Sequence, residues 1–176
     1  MKQQRTQLSL LLVLIVLALV ALSVIRFRGR EAETEAGGAV VFQCDKERVT
    51  GLSIRTDRES LELVREEDAA VWRFSDTGEE ANALRVEQML SQIEEIRSDT
   101  VMEDVTDVLP YGLDAPGMVI ALSYEGETHT LEIGDFSQGA KMFYARTDGE
   151  TRVFLLSTLV QGSFDVTREE LRGVEE

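Results

Sequence analysis

The chain has 176 residues, with 33 acidic and 18 basic side chains and a formal net charge of −15. Such a surface excludes a nucleic-acid binder, which needs cationic patches for phosphates. The single cysteine excludes an intrachain disulfide.

The first element in chain order is an apolar run. Residues Leu8 to Ile25 read LSLLLVLIVLALVALSVI, without a charge. As a helix it spans about 27 Å, close to the ~30 Å hydrocarbon core of a bilayer. Lys2 and Arg5 precede it, and Arg26, Arg28 and Arg30 follow it as interfacial anchors. Ala21-Leu22-Ser23 is a passable cleavage site, but the apolar run continues past it, so an uncleaved anchor is expected. Residues 1–7 then form a short cytoplasmic tail, 8–25 the transmembrane helix, 26–39 a juxtamembrane linker and 40–176 an extracytoplasmic domain. Basic residues flank the run almost equally, but long domains translocate largely regardless of charge. The expected location is the cytoplasmic membrane, single-pass. All five basic residues of the first thirty belong to these flanks, which leaves 13 basic and 33 acidic residues beyond them, a net of −20.

The rest alternates between strand and helix patterns. VTGLSIRT (49–56), SLELVRE (60–66) and AVWRFS (70–75) read as short strands separated by polar turns. Val86, Met89, Leu90, Ile93 and Ile96 form one apolar helix stripe. A connecting segment, 98–117, holds both prolines and an added strand near Thr100–Met102. Two hairpins follow: 118–134 around Glu125-Gly126, and 141–157 around Asp148-Gly149. A short helix over 157–164 and a Thr167/Glu170 capping box close the pattern. The expected class is α+β: antiparallel β-meanders with two or three helices, in an order that also fits a divergent βββα duplication, preceded by one transmembrane helix.

Few residues carry the marks of chemistry. His129 is the only histidine and lies in a predicted strand, without a Ser-His-Asp or Cys-His framework in sequence. Asp99, Glu103, Asp104, Asp107 and Asp114 lack EF-hand spacing and read as a solvated acidic segment. Gly134-Asp135 has neither P-loop nor dinucleotide pattern. No catalytic residue, metal ligand or cofactor is therefore expected.

Tyr111-Gly112-Leu113-Asp114-Ala115-Pro116, placed after a helix and before a hairpin ending in Ile133-Gly134-Asp135, resembles the domain-of-unknown-function 4340 family. Leu61 to Trp72, Tyr144-Ala145-Arg146 before Val153-Phe154, and Glu170-Leu171-Arg172 extend the resemblance over residues 42–172. One departure is the absence of a proline in Phe74 to Gly78. The resemblance implies a bacterial protein held by one N-terminal helix, related to auxiliary domains of ABC-transporter and gliding-motility systems. From the residues alone, Tyr111, Gly112, Leu113, Asp114, Pro116, Ile133, Gly134 and Asp135 read as structural: glycine for positive φ, proline for a fixed strand entry, Tyr111 and Leu113 packing inward. The expected role is a non-enzymatic accessory or scaffold protein. It acts through protein partners, among them an ABC-transporter component. The alternative is a tethered binding module for a small molecule, glycan or lipid.

Overall fold

The computed structural model describes residues 38–66 and 71–172. Ten strands, three helices and two 3₁₀ turns are built from them. In chain order these are β1 (Ala39–Gln43), β2 (Val49–Thr56), β3 (Ser60–Val64), β4 (Arg73–Phe74), α1 (Ala83–Ile93), β5 (Glu95–Ser98) and β6 (Val101–Met102). After them come β7 (Met118–Tyr124), β8 (Glu127–Ser137), β9 (Met142–Thr147), β10 (Val153–Leu156), α2 (Thr158–Phe164) and α3 (Arg168–Leu171). The 3₁₀ turns are Lys46–Arg48 and Leu109–Tyr111.

Eight strands make one antiparallel sheet in the order β4-β3-β2-β7-β8-β9-β10-β6, and β1 pairs with β5 as a separate ribbon. The protein is thus α+β, as its patterning predicts. Strand alternation decides which side is buried. Leu52 and Ile54 of β2, Leu61 and Leu63 of β3, and Met118, Ile120 and Leu122 of β7 point to one face. Helix α1 buries Val86, Met89, Leu90 and Ile93 in the same cluster, and Phe164 and Leu171 join from α2 and α3. Each such side chain contributes about 1.5–3 kcal/mol on burial.

Local chemistry sets the boundaries. Asn82 caps α1 by accepting from the Arg85 amide at 3.1 Å. Ser157 does the same for α2 through the Leu159 amide. The capping box at α3 forms in both directions: Thr167 Oγ1 accepts from the Glu170 amide, and Glu170 Oε2 accepts from the Thr167 amide at 2.8 Å. Glu125 and Gly126, with φ of 55° and 82°, make the two-residue β7–β8 turn. Where a proline was the expected family feature, Gly78 (φ 72°) closes a turn on the Phe74 carbonyl at 2.8 Å.

Three expectations are corrected. The helix stripe ends at Ile93, and Ile96 is buried from β5, where Glu95–Ser98 pairs with β1. Ile96 falls three positions after Ile93, a spacing that a helix face also uses, so a core-facing residue of the next strand reads as a continuation of the stripe. The strand around Trp72 shrinks to Arg73–Phe74, with Trp72 buried just outside it. β1 occupies residues read as the end of a linker and an unassigned stretch.

No helix among the described residues is long and apolar enough to cross a membrane. The segment Leu8–Ile25 and its flanks Lys2, Arg5, Arg26, Arg28 and Arg30 lie outside the described residues.

Candidate functional site

The two sequence motifs meet. The segment between β6 and β7 crosses the face of the sheet opposite the helices. Val105 N–H donates to Thr151 O at 2.8 Å near its start. Tyr111 then packs edge-on against Tyr144 of β9, with ring centroids 4.9 Å apart. Tyr144 and Arg146 flank the buried Ala145, so they stand on the outer face. Arg146 pairs with Glu132 and donates to Leu113 O at 3.2 Å. Leu113 is only 1% exposed, yet it lies outside the main core cluster. Its burial and its carbonyl's bond to Arg146 tie the strap to the sheet.

Two glycines allow the strap to sit so close. Gly112 ends the Leu109–Tyr111 turn in the left-handed conformation, φ 66°. A Cβ there would lie 2.6 Å from the Asp135 carboxylate carbon and 2.9 Å from its amide nitrogen. A Cβ on Gly134 would lie 2.2 Å from Tyr111 O. Gly134 and Asp135 form the bulge of β8, where the register with β9 shifts between Ile133 and Phe136. Ile133 is core, while Asp114 and Asp135 are exposed and Pro116 is half-buried ahead of β7.

Beyond the strap, no element among the described residues covers the outer face over β3, β2 and β7. Gly51, Ser53, Glu62, Val64, Ala121 and Ser123 border a shallow groove of about 370 Å³ there. A wider cleft of about 680 Å³ lies at the β7–β8 turn and is bordered by Asp45, Glu94, Glu95 and Glu125. Cys44 also borders it. Burial, with Glu94 and Asp45 nearby, pushes its thiol up to about 11, and Sγ–H points to Ile93 O at 3.7 Å. That is the environment of an inert thiol.

His129 stacks on Tyr124, with centroids 4.7 Å apart. Its Nδ1 lies 3.0 Å from Asp148 Oδ2 and its Nε2 lies 3.7 Å from Glu127. Carboxylates therefore stand at both ring nitrogens, and Asp148 also accepts from the Thr130 amide at 2.6 Å. This arrangement clasps a strand to a turn. The acidic residues 99, 103, 104, 107 and 114 are exposed. Among the described residues no group of three or more His, Cys, Asp or Glu is placed to hold a metal ion.

The family model for a domain of unknown function (DUF4340) matches residues 72–173, more than half of the chain. The chain belongs to the DUF4340 family. No curated protein and no solved structure matches it. The DUF4340 match begins at Trp72, so it contains both interlocked motifs, all three helices and the strands from β4 onward. β1, β2 and β3 precede the match, although β2 pairs with β7 over seven positions at the centre of the sheet.

One residue of this DUF4340 chain escapes any motif. Arg65 has a side chain only 7% exposed. Its guanidinium donates to Val49 O at 2.6 Å, Lys46 O at 2.8 Å and Glu47 O at 2.7 Å. It also reaches Glu87 of α1 at 3.4 Å and lies 4.9 Å from the Trp72 ring centroid. It joins the Lys46–Arg48 turn, β2 and α1. A lone arginine at a strand end gives no sign of this in sequence.

Proposed function

We propose that this chain is a membrane-tethered, non-enzymatic accessory subunit that binds another membrane protein of an envelope assembly, such as an ABC-transporter component. In this reading Leu8–Ile25 is the single transmembrane anchor and the domain is extracytoplasmic. The observation that carries the reading is the half-covered sheet. Among the described residues, helices bury one face, the strap from residue 103 to 117 covers the outer face over β8 and β9, and the outer face over β3, β2 and β7 stays open. Small side chains there, Gly51, Ser53, Ala121 and Ser123, allow another backbone or helix to approach closely. Tyr111, Gly112, Leu113 and Gly134 take part in fastening the strap, which supports a structural role for them. The reading also treats β2-β3-β4-α1 and β7-β8-β9-β10-α2 as two divergent descendants of one βββα unit, the second with one strand more.

The test is purification of the full chain from native membranes in mild detergent, followed by mass spectrometry. A membrane protein recovered in stoichiometric amount supports the proposal. Recovery of the chain alone, at native expression and under several detergents, rejects it.

A further inference from the structure

The β8 bulge opens a second surface feature, separate from the bare sheet face. A cleft of about 350 Å³ lies where Gly134 and Asp135 interrupt the β8–β9 register. Its apolar part is the half-buried Phe143, with the buried Met118 and Ile133 bordering it. Arg58, from the turn between β2 and β3, reaches across it to Asp165, which follows α2, and Asp57 also borders it. The volume lies at the low end of the ~300–1,000 Å³ range of ligand pockets. Bulges recur beside binding sites because they bend a strand away from its neighbour.

The charges narrow the ligand. Arg58 is the one cation among the lining residues, against two aspartates. A simple anion meets Asp57 and Asp165, in a domain already strongly negative. A simple cation meets Arg58. The Arg58 and Asp165 side chains are 60% and 39% exposed, so their pair is weakly held and exchanges readily. A molecule carrying both charges replaces each end of that pair with its own partner.

We infer that this cleft binds a small zwitterion with an apolar side group, of which an apolar α-amino acid is the simplest. The carboxylate lies on the Arg58 guanidinium and the ammonium between Asp165 and Asp57. The side chain covers Phe143 where it meets Met118 and Ile133. The inference goes beyond the accessory role and does not depend on it.

The experiment is a titration of the full-length, ¹⁵N-labelled chain in detergent micelles with L-leucine, read by amide chemical shifts. Arms with 4-methylpentanoate and 3-methylbutylamine each remove one charge. The expected result is a saturable shift of the Gly117 and Gly134 amides by leucine. Each single-charge analogue, and each of Arg58→Ala and Asp165→Ala, weakens binding about tenfold or more. Both side chains are exposed, so both variants keep the wild-type spectrum elsewhere, which separates lost binding from lost folding. No saturable shift with leucine overturns the inference. So does binding that survives in both variants, or that the single-charge analogues reproduce.

Discussion

Replacing Gly134 by alanine places a methyl group 2.2 Å from Tyr111 O, where ordinary contact needs at least 3.4 Å. The same methyl lies 3.0 Å from the Gly112 carbonyl carbon and oxygen. All three neighbours are backbone, so no rotamer change relieves the overlap, and the strap must lift by about 1 Å. Lifting it separates Tyr111 from Tyr144 and admits water to Leu113. Overpacking of this kind costs about 1–3 kcal/mol, and partial exposure of a buried leucine adds up to about 2 kcal/mol. The expected loss is about 1–5 kcal/mol, which lowers Tm by roughly 3 °C for each kcal/mol in a domain of this size. Gly139 provides the opposite case in the adjoining turn. Its Cβ would meet nothing within 4 Å and its φ is not left-handed, so Gly139→Ala is neutral or stabilises by up to about 1 kcal/mol. Urea denaturation followed by far-ultraviolet circular dichroism gives both values, and near-ultraviolet tyrosine signals report the strap itself. A Gly134→Ala variant within about 0.5 kcal/mol of wild type would refute the interlock.

Three further outcomes follow from single groups. Arg65→Ala leaves three carbonyl acceptors and the Trp72 face without their cation, and loses about 3 kcal/mol in urea denaturation. Arg65→Lys recovers only part of this, because an ammonium cannot reproduce the fork. Cys44 stays unmodified by a thiol reagent at pH 7 in the native protein and reacts fully in urea, since burial raises its pKa to about 11. Acid destabilises the domain through carboxylates held below their ordinary values. Arg168 does this to Asp76, and the Thr167 amide and hydroxyl to Glu170. At Asp148 partial burial acts upward, but the Thr130 amide and the His129 ring outweigh it. Such groups bind protons more readily when unfolded. Their stabilisation is therefore complete above the unfolded pKa near 4 and is lost as pH falls through the lowered folded values. Urea midpoints measured from pH 7 to pH 2 check the sign, and in Asp148→Asn the drop is smaller.

Local patterns were readable where one residue decides one feature. The Thr167/Glu170 box, the Glu125-Gly126 turn and the Val86–Ile93 stripe all depend on neighbours within a few positions. Ile96 was not separable from that stripe because no glycine or proline marks the end of α1, whose last cap is Glu94. β1 was invisible for another reason: its partner β5 lies more than fifty residues away, and a five-residue strand beside glycines has little periodicity. The two motifs at 111–116 and 133–135 were legible as glycine-bearing turns. Their contact was not, since a glycine required by an approaching backbone looks like one required by a turn. Arg65 shows the same limit, as its carbonyl partners carry no side-chain signature.

In the proposed assembly the open sheet face meets another membrane protein. A photo-crosslinking amino acid at Ala121, on that face, tests it most directly in native membranes, with Glu169 on α3 as the exposed control. The expected result is one discrete adduct from position 121, containing a membrane protein, and none from 169. No adduct from 121, or the same adducts from both positions, would contradict it.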